Sequence, residues 1–258
     1  MTYRNDFIEE DLLNYTDEYL KNEICITRDE YLRYLEGYII RMSDGYYFSK
    51  DVTLNELCNE IIGRYLCEKI NLDTTCLEIW SEEDEYYQIL TPNYRKRGYF
   101  YTKPDDNFEF GQYIETFDDS IFRQLDKKHQ NDLLKLMAVD MMMEQEDRYS
   151  RNLEEYIVGN NVRLTPVIDF AIAFSNIKNH YTYFNPYILI NKSAKTMDSF
   201  LNKYPNGYLY FKNIFDTTCD ELFEHIEKEY EIKPSNHVKK YINSTIKRNH
   251  KVLEKLKG

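Results

Sequence analysis

Residues 144–174 read EQEDRYSRNLEEYIVGNNVRLTPVIDFAIAF. The stretch opens on a polar loop, EDRYSRN, and continues through LEEYIV, GNN and VRLTPVI. Two runs rich in β-branched and aromatic residues around a Gly-Asn-Asn turn predict a hairpin, which ends at Asp169-Phe170. Three side-chain oxygen donors are thereby set at neighbouring loop ends. Asp147 and Asn152 precede the first strand, and Asp169 follows the second. Taken singly, Asp147 and Asn152 also fit loop caps and Asp169 a strand-end turn. Order and spacing carry the information.

Immediately upstream lies HQNDLLKLMAVDMMMEQ, residues 129–145, apolar on nearly every face. Such a helix is buried through a core rather than laid upon it, and its methionine run reads as core filling. A polar loop after a buried helix holds its side chains against a rigid support. Phosphoryl transfer needs positioning and charge neutralisation more than covalent help. One carboxylate orients the attacking hydroxyl, while an amide oxygen and a second carboxylate hold magnesium, which prefers hard oxygen ligands. An Asp-x4-Asn loop, a hairpin and then Asp-Phe supply those groups in the order seen in kinases.

Further out, YLEGYIIRM (34–42), SDG (43–45) and YYFSKD (46–51) predict two strands around an Asp-Gly turn. LNELCNEIIGRYLCEKI (54–70) follows, with Leu54, Leu57, Cys58, Ile61, Ile62, Tyr65 and Leu66 at helical spacing. Cys76–Trp80 and Tyr86–Leu90 read as strands around a charged turn. Kinase chemistry also needs a strand lysine for the phosphates and a helical glutamate to hold that lysine. Lys50 ends the second strand, and Glu60 lies ten residues on, beside the apolar stripe. Glu56, one turn earlier on the same flank, competes for the glutamate role.

Three stretches together resemble the HipA-like serine/threonine kinases, a family distantly related in fold to phosphoinositide kinases. YYFSKD is similar to the family's strand ending in the ATP-binding lysine. NEIIGRYLCEKINLDTTCLEI (59–79) resembles its Asn-Glu helix with the turn and strand that follow, and EQEDRYSRN with VRLTPVIDFAIAF resembles its catalytic and metal segments. The resemblance implies an α+β, two-lobed protein-kinase-like fold with a small β-rich N-lobe and a mainly helical C-lobe. It implies Asp147 as catalytic aspartate, Asn152 and Asp169 as Mg2+ ligands, and Lys50 with Glu60 as the ATP-binding pair. ATP and Mg2+ would be the cofactors. It further implies a growth-arresting toxin of a toxin–antitoxin pair, with a protein substrate and a cognate antitoxin as partners.

The chain departs from the pattern at several positions. Ala171 stands where protein kinases have the glycine of the metal loop, a glycine this family often lacks. Glu146 and Gln145 stand where an Arg and a His precede the aspartate. No glycine-rich loop precedes Lys50, since Gly37 is alone and Gly45 belongs to the turn. The extra amino-terminal domain of longer members is not expected. The same features leave two alternatives, a lipid or small-molecule kinase on this fold and a non-catalytic pseudokinase that binds partners.

Composition narrows the field. Hydrophobic residues make up 42% of 258 and charged residues 30%, enough apolar surface for a sizeable core. The 25 tyrosines read as packing residues with solvated hydroxyls. A net charge of −12 disfavours direct nucleic-acid binding. Five cysteines without a CxxC pair fit free thiols in a reducing compartment better than disulfides or zinc. The acidic opening MTYRNDFIEEDLLNY reads as neither signal nor transit peptide, and no window reaches the ~20 apolar residues of a membrane span. A cytoplasmic protein is expected.

The expected organisation is an N-lobe over residues 1–105, opening with an acidic helix near 7–22, and a C-lobe over 106–258. The turn-rich segment 91–117 would be the hinge between them. Arg95, Lys96 and Arg97 there, and the basic amphipathic helix from Val238 with Ile242, Ile246 and Leu253, read first as solvated charge.

Overall fold

The computed structural model describes residues 38–42, 45–83, 86–94, 100–102, 126–145, 154–171, 173–174 and 205–256. Its first layer is an antiparallel sheet in the order β1-β2-β4-β3, with β1 at Tyr38–Met42, β2 at Gly45–Thr53, β3 at Glu78–Glu83 and β4 at Tyr86–Pro92. The expected first hairpin is β1 with β2, in register from Tyr38↔Ser49 to Met42↔Gly45. On its other edge β2 pairs with β4, setting Lys50 opposite Ile89.

Helix α1, Leu54–Lys69, starts directly from β2. Thr53 caps it, accepting from the Glu56 N–H, while the Glu56 carboxylate accepts from the Thr53 N–H at 2.7 Å. This reciprocal box satisfies two donors that a helix start otherwise leaves unpaired. It fixes the angle at which α1 leaves the strand. Leu57, Cys58, Ile61, Ile62, Leu66 and Cys67 are fully buried, so the predicted apolar stripe faces the core. Each of the leucines and isoleucines among them contributes about 1.5–3 kcal/mol by leaving water.

After α1 the chain turns through Asn71, whose φ of 54° is left-handed, toward the second half of the molecule. Thr74 forms a parallel bridge with Val167. The Val167 N–H donates to the Asp73 carbonyl at 2.8 Å, and the Thr74 hydroxyl donates to the Val167 carbonyl at 2.7 Å. This crossing explains why β3 begins at Glu78 rather than at the expected Cys76. The backbone around Thr74 is engaged with Val167, and pairing with β4 starts at Glu78↔Leu90.

A second, three-stranded antiparallel sheet runs β5-β6-β7, with β5 at Phe100–Thr102, β6 at Glu155–Val158 and β7 at Asn161–Leu164. The β6–β7 hairpin is the predicted one, and Gly159 supplies the positive φ of 60° at its tip. Helix α2, Lys127–Met143, precedes it, with residues 136–143 all buried, as expected of a helix passing through a core. Asp126 caps α2 by accepting from the N–H groups of Lys128 and His129, and Arg163 of β7 pairs with the same carboxylate.

Three further helices complete the described chain: α3 at Pro205–Phe215, α4 at Cys219–Tyr230 and α5 at Asn236–Leu256. Val238, Ile242 and Ile246 bury the predicted apolar face of α5. The molecule is therefore mixed α and β, as expected, with one helix among the first strands, one before the β6–β7 hairpin and three at the end of the described chain. Among the described residues no helix is long and apolar enough to cross a membrane. The expected helix at 7–22, the basic run 95–97 and most of the hinge lie outside the described residues.

Candidate active site

Lys50 and Asp169, separated by 119 residues, meet at 2.7 Å between Nζ and Oδ1. The Glu60 Oε1 atom lies 3.6 Å from the same ammonium. Lys50 reaches this point because β2 runs into α1 without a loop, so the strand end and the second turn of the helix face one another. Glu60 is 2% exposed, whereas the side chains of Lys50 and Asp169 keep 34% and 26% of their surface open to solvent. The cluster thus has a buried base and an accessible mouth. Burial alone would depress the Lys50 pKa, but the carboxylates of Asp169 and Glu60 outweigh it and hold that pKa above the ordinary lysine value.

Asp169 adopts φ 65°, a left-handed conformation uncommon for a residue with a side chain and recurrent at functional loops. Several contacts hold the segment around it. The Gln145 side-chain amide donates to the Asp169 carbonyl at 2.8 Å, from the residue just beyond the carboxyl end of α2. Phe170 is fully buried with its ring against Gly63 of α1, leaving no room there for a Cβ. The Asn59 amide donates to the carbonyls of both Ala171 and Ala173. The Phe174 N–H then donates to the Met143 carbonyl at 2.7 Å. The segment that presents Asp169 is pinned between α1 and α2.

Glu60 has a second cationic neighbour. The Arg64 guanidinium, one turn further along α1, pairs with Glu60 Oε2. It also donates to the Thr75 carbonyl at 3.1 Å, the Glu60 carbonyl at 3.2 Å and the Thr91 hydroxyl at 3.3 Å. Arg64 is 4% exposed.

Lys50, Glu60 and Asp169 are thus brought together, while Asp147 and Asn152 lie outside the described residues. Glu56 is turned back onto Thr53 as a helix cap. The supporting contacts of Arg64, Asn59, Gly63 and Gln145 form no part of the motif reading. Each left a trace nonetheless: Arg64 sits four residues from Glu60, Asn59 is the asparagine of the Asn-Glu pair, Gly63 interrupts a good helix sequence, and Gln145 follows the buried helix.

Comparison with family models and with curated protein sequences finds no match. Solved structures do match. The Helicobacter pylori proinflammatory kinase CtkA superposes with a TM-score of 0.56 at 9% identity, over 85% of this chain and 93% of that one. The HipA of a Shewanella oneidensis toxin–antitoxin system, solved with HipB and operator DNA, gives a TM-score of 0.56 at 12% identity, over 81% of this chain. This protein has the HipA-like kinase fold. The match spans 60% of the Shewanella chain, so this protein is similar to part of that longer one. In this HipA-like kinase fold, the strand lysine and the segment after the β6–β7 hairpin come from opposite halves of the sequence and meet beside α1.

Proposed function

We propose that this protein is a Mg-ATP-dependent protein serine/threonine kinase of HipA-like type, acting as the growth-arresting toxin of a toxin–antitoxin pair. The single observation that carries the catalytic part is the convergence of Lys50, Glu60 and Asp169. The kinase-like fold supports the same reading. The toxin role and a cognate antitoxin rest on the fold's likeness to the Shewanella HipA alone.

The donor chemistry fits the cofactors. Asp169 offers a hard carboxylate oxygen at an accessible mouth, and Lys50 is a cation held beside it. Asp169, with Asn152 as second oxygen donor, would hold Mg2+, and Lys50 would bind the α- and β-phosphates of ATP. Bound magnesium supplies neutralisation of phosphate charge. Glu60 keeps the Lys50 ammonium at the mouth of the site. Asp147, two residues after Gln145 in sequence, would orient the acceptor hydroxyl and take up its proton.

The test is transfer of label from γ-labelled ATP with magnesium, by the protein and by its Asp147→Ala and Asp169→Ala variants, to itself and to lysate proteins. We expect labelled serine or threonine with the native protein and a loss of about 100-fold or more in each variant. Equal labelling in all three would remove the kinase reading. Nucleotide binding without any transfer would replace it with a partner-binding pseudokinase.

A further inference from the structure

The carboxyl end of α2 closes on Glu144, whose φ of 50° is left-handed. Glycine is the usual residue at such a helix end, because a side chain there is strained. Glu144 nevertheless closes the helix as a glycine would. Its N–H donates to the Met141 carbonyl, and the Gln145 N–H donates to the Asp140 carbonyl at 2.9 Å. The group that holds this strained residue lies 104 residues further on, in α5. Arg248 grips the Glu144 carboxylate with two nitrogens: Nη2 reaches Oε2 at 2.8 Å and Oε1 at 2.9 Å, and Nε reaches Oε1 at 3.3 Å. The buried Thr245 hydroxyl accepts from the same Nη2 at 2.9 Å, which steadies the guanidinium. Arg248 also brings a cation to a helix end whose last turn has no basic residue of its own.

Stability does not account for this contact. The Arg248 side chain keeps 40% of its surface open to solvent, and an ion pair that wet returns less than a left-handed glutamate costs. A two-pronged guanidinium–carboxylate contact does fix direction. The direction it fixes is that of the chain leaving α2, three residues before Asp147. We propose that Arg248 is a positioning residue, which by gripping Glu144 sets the course of the backbone toward Asp147. Gln145 is a second anchor beside it, since its amide donates to the Asp169 carbonyl. The Asp169 segment does not depend on Arg248, because Phe170 and Asn59 hold it to α1. The proposal rests on the kinase reading only for the task of Asp147, orienting the acceptor hydroxyl. Losing the grip therefore slows transfer and leaves nucleotide binding in place.

The experiment compares native protein with Arg248→Met, Arg248→Lys, Glu144→Gly and the Glu144→Gly/Arg248→Met double variant, each full length. Label transfer from γ-labelled ATP with magnesium to a fixed lysate is followed across ATP concentrations, which separates the maximal rate from KM for ATP. Glu144→Gly is the deciding variant, because glycine takes the left-handed turn without strain but no longer ties it to α5. Its urea midpoint should stay close to native. Its maximal rate should fall about tenfold, with KM for ATP changed by no more than about twofold. Arg248→Met should lose the same, and the double variant no more than either single. Arg248→Lys keeps the charge without the fork, so it should fall between native and Arg248→Met.

A second readout needs neither nucleotide nor acceptor: amide hydrogen exchange followed by mass spectrometry. Peptides that carry the Gln145 amide should exchange about tenfold faster in Arg248→Met, while peptides from α1 keep their native rates. If Arg248→Met does not fold, Arg248→Lys should show a smaller rise at the same peptides. An arginine that served stability alone would speed α1 and α2 together. Native protein that transfers no label would defeat the kinase reading, whereas the exchange pattern would still decide whether Arg248 governs the chain leaving α2. Full transfer by Glu144→Gly, a urea midpoint that falls in step with its activity, or native exchange at Gln145 in Arg248→Met would overturn the proposal.

Discussion

A Cβ added at residue 63 would fall 2.2 Å from Cγ of Phe170, closer than real side-chain contacts allow. Alanine is the better helix former by about 1 kcal/mol, so an isolated helix would gain from Gly63→Ala. In this molecule the ring or the helix must shift instead, and such overpacking costs about 1–3 kcal/mol. Gly63→Ala is therefore expected to destabilise the protein by about 1 kcal/mol, seen as a lower urea midpoint at unchanged slope. A stabilised variant would mean that Phe170 does not sit where the structure has it. Because Phe170 follows Asp169 in sequence, the same variant should also weaken nucleotide binding. The residue scale is where the sequence was least legible. An arginine on a helix ordinarily reads as a solvated cation, and Arg64 is buried only because Thr75 and Thr91, 11 and 27 residues away, supply its acceptors. Asn59 and Gln145 likewise owe their roles to carbonyls distant in sequence.

Elements were legible wherever a change of hydrophobic period coincided with a turn signal. The β1–β2 and β6–β7 hairpins, α1, α2 and α5 follow their predicted stretches, because alternation and helical stripe each meet the core that they imply. Lys50, Glu60 and Asp169 shared in this, since each stands at a fixed offset from such a boundary. β3 was displaced by two residues because the Thr74–Val167 crossing is a tertiary event with no local signature. The Thr53–Glu56 box, by contrast, is a local pattern with a mechanism, and it sets the direction of α1 relative to Lys50. Thr53→Ala should cost about 1 kcal/mol of stability, measured by denaturant unfolding. Transfer activity should fall with it, as the helix start loosens beneath Glu60. Loss of stability with fully native activity would show that the cap does not govern the site.

Across the whole molecule, α1 is tied to the helical layer as well as to the sheet. Glu221 of α4 accepts from Tyr65 and pairs with Lys69 at 2.7 Å, and Lys69 also donates to Thr217. Burial would raise the Glu221 pKa, but the Lys69 and Tyr65 hydrogen bonds and the Lys69 charge win and hold it below the ordinary glutamate value. The Tyr65 phenol is pushed up to about 12 by burial and by its bond to Glu221. A carboxyl with a depressed folded-state pKa contributes stability that is present above the unfolded value, 4.5, and is lost as the pH falls through the folded value. Glu221→Gln should therefore lower the melting temperature at pH 7 by about 1–4 °C, as expected of a partly exposed pair. That difference should close once the pH is taken well below 4.5. A difference that persisted in acid would mean the carboxylate charge is not what joins the two helices.

The crossing at Thr74 and Val167 has a consequence for how such a molecule tolerates evolutionary drift. Its Asp73–Val167 hydrogen bond is made by peptide groups, which every residue but proline can provide in full, so that bond asks nothing of side chains, whereas the bond from the Thr74 hydroxyl to the Val167 carbonyl asks for a hydroxyl. A lineage could exchange the letter at 73 freely and, with a hydroxyl kept at 74 and an apolar residue at 167, still keep the two halves in the same relative pose.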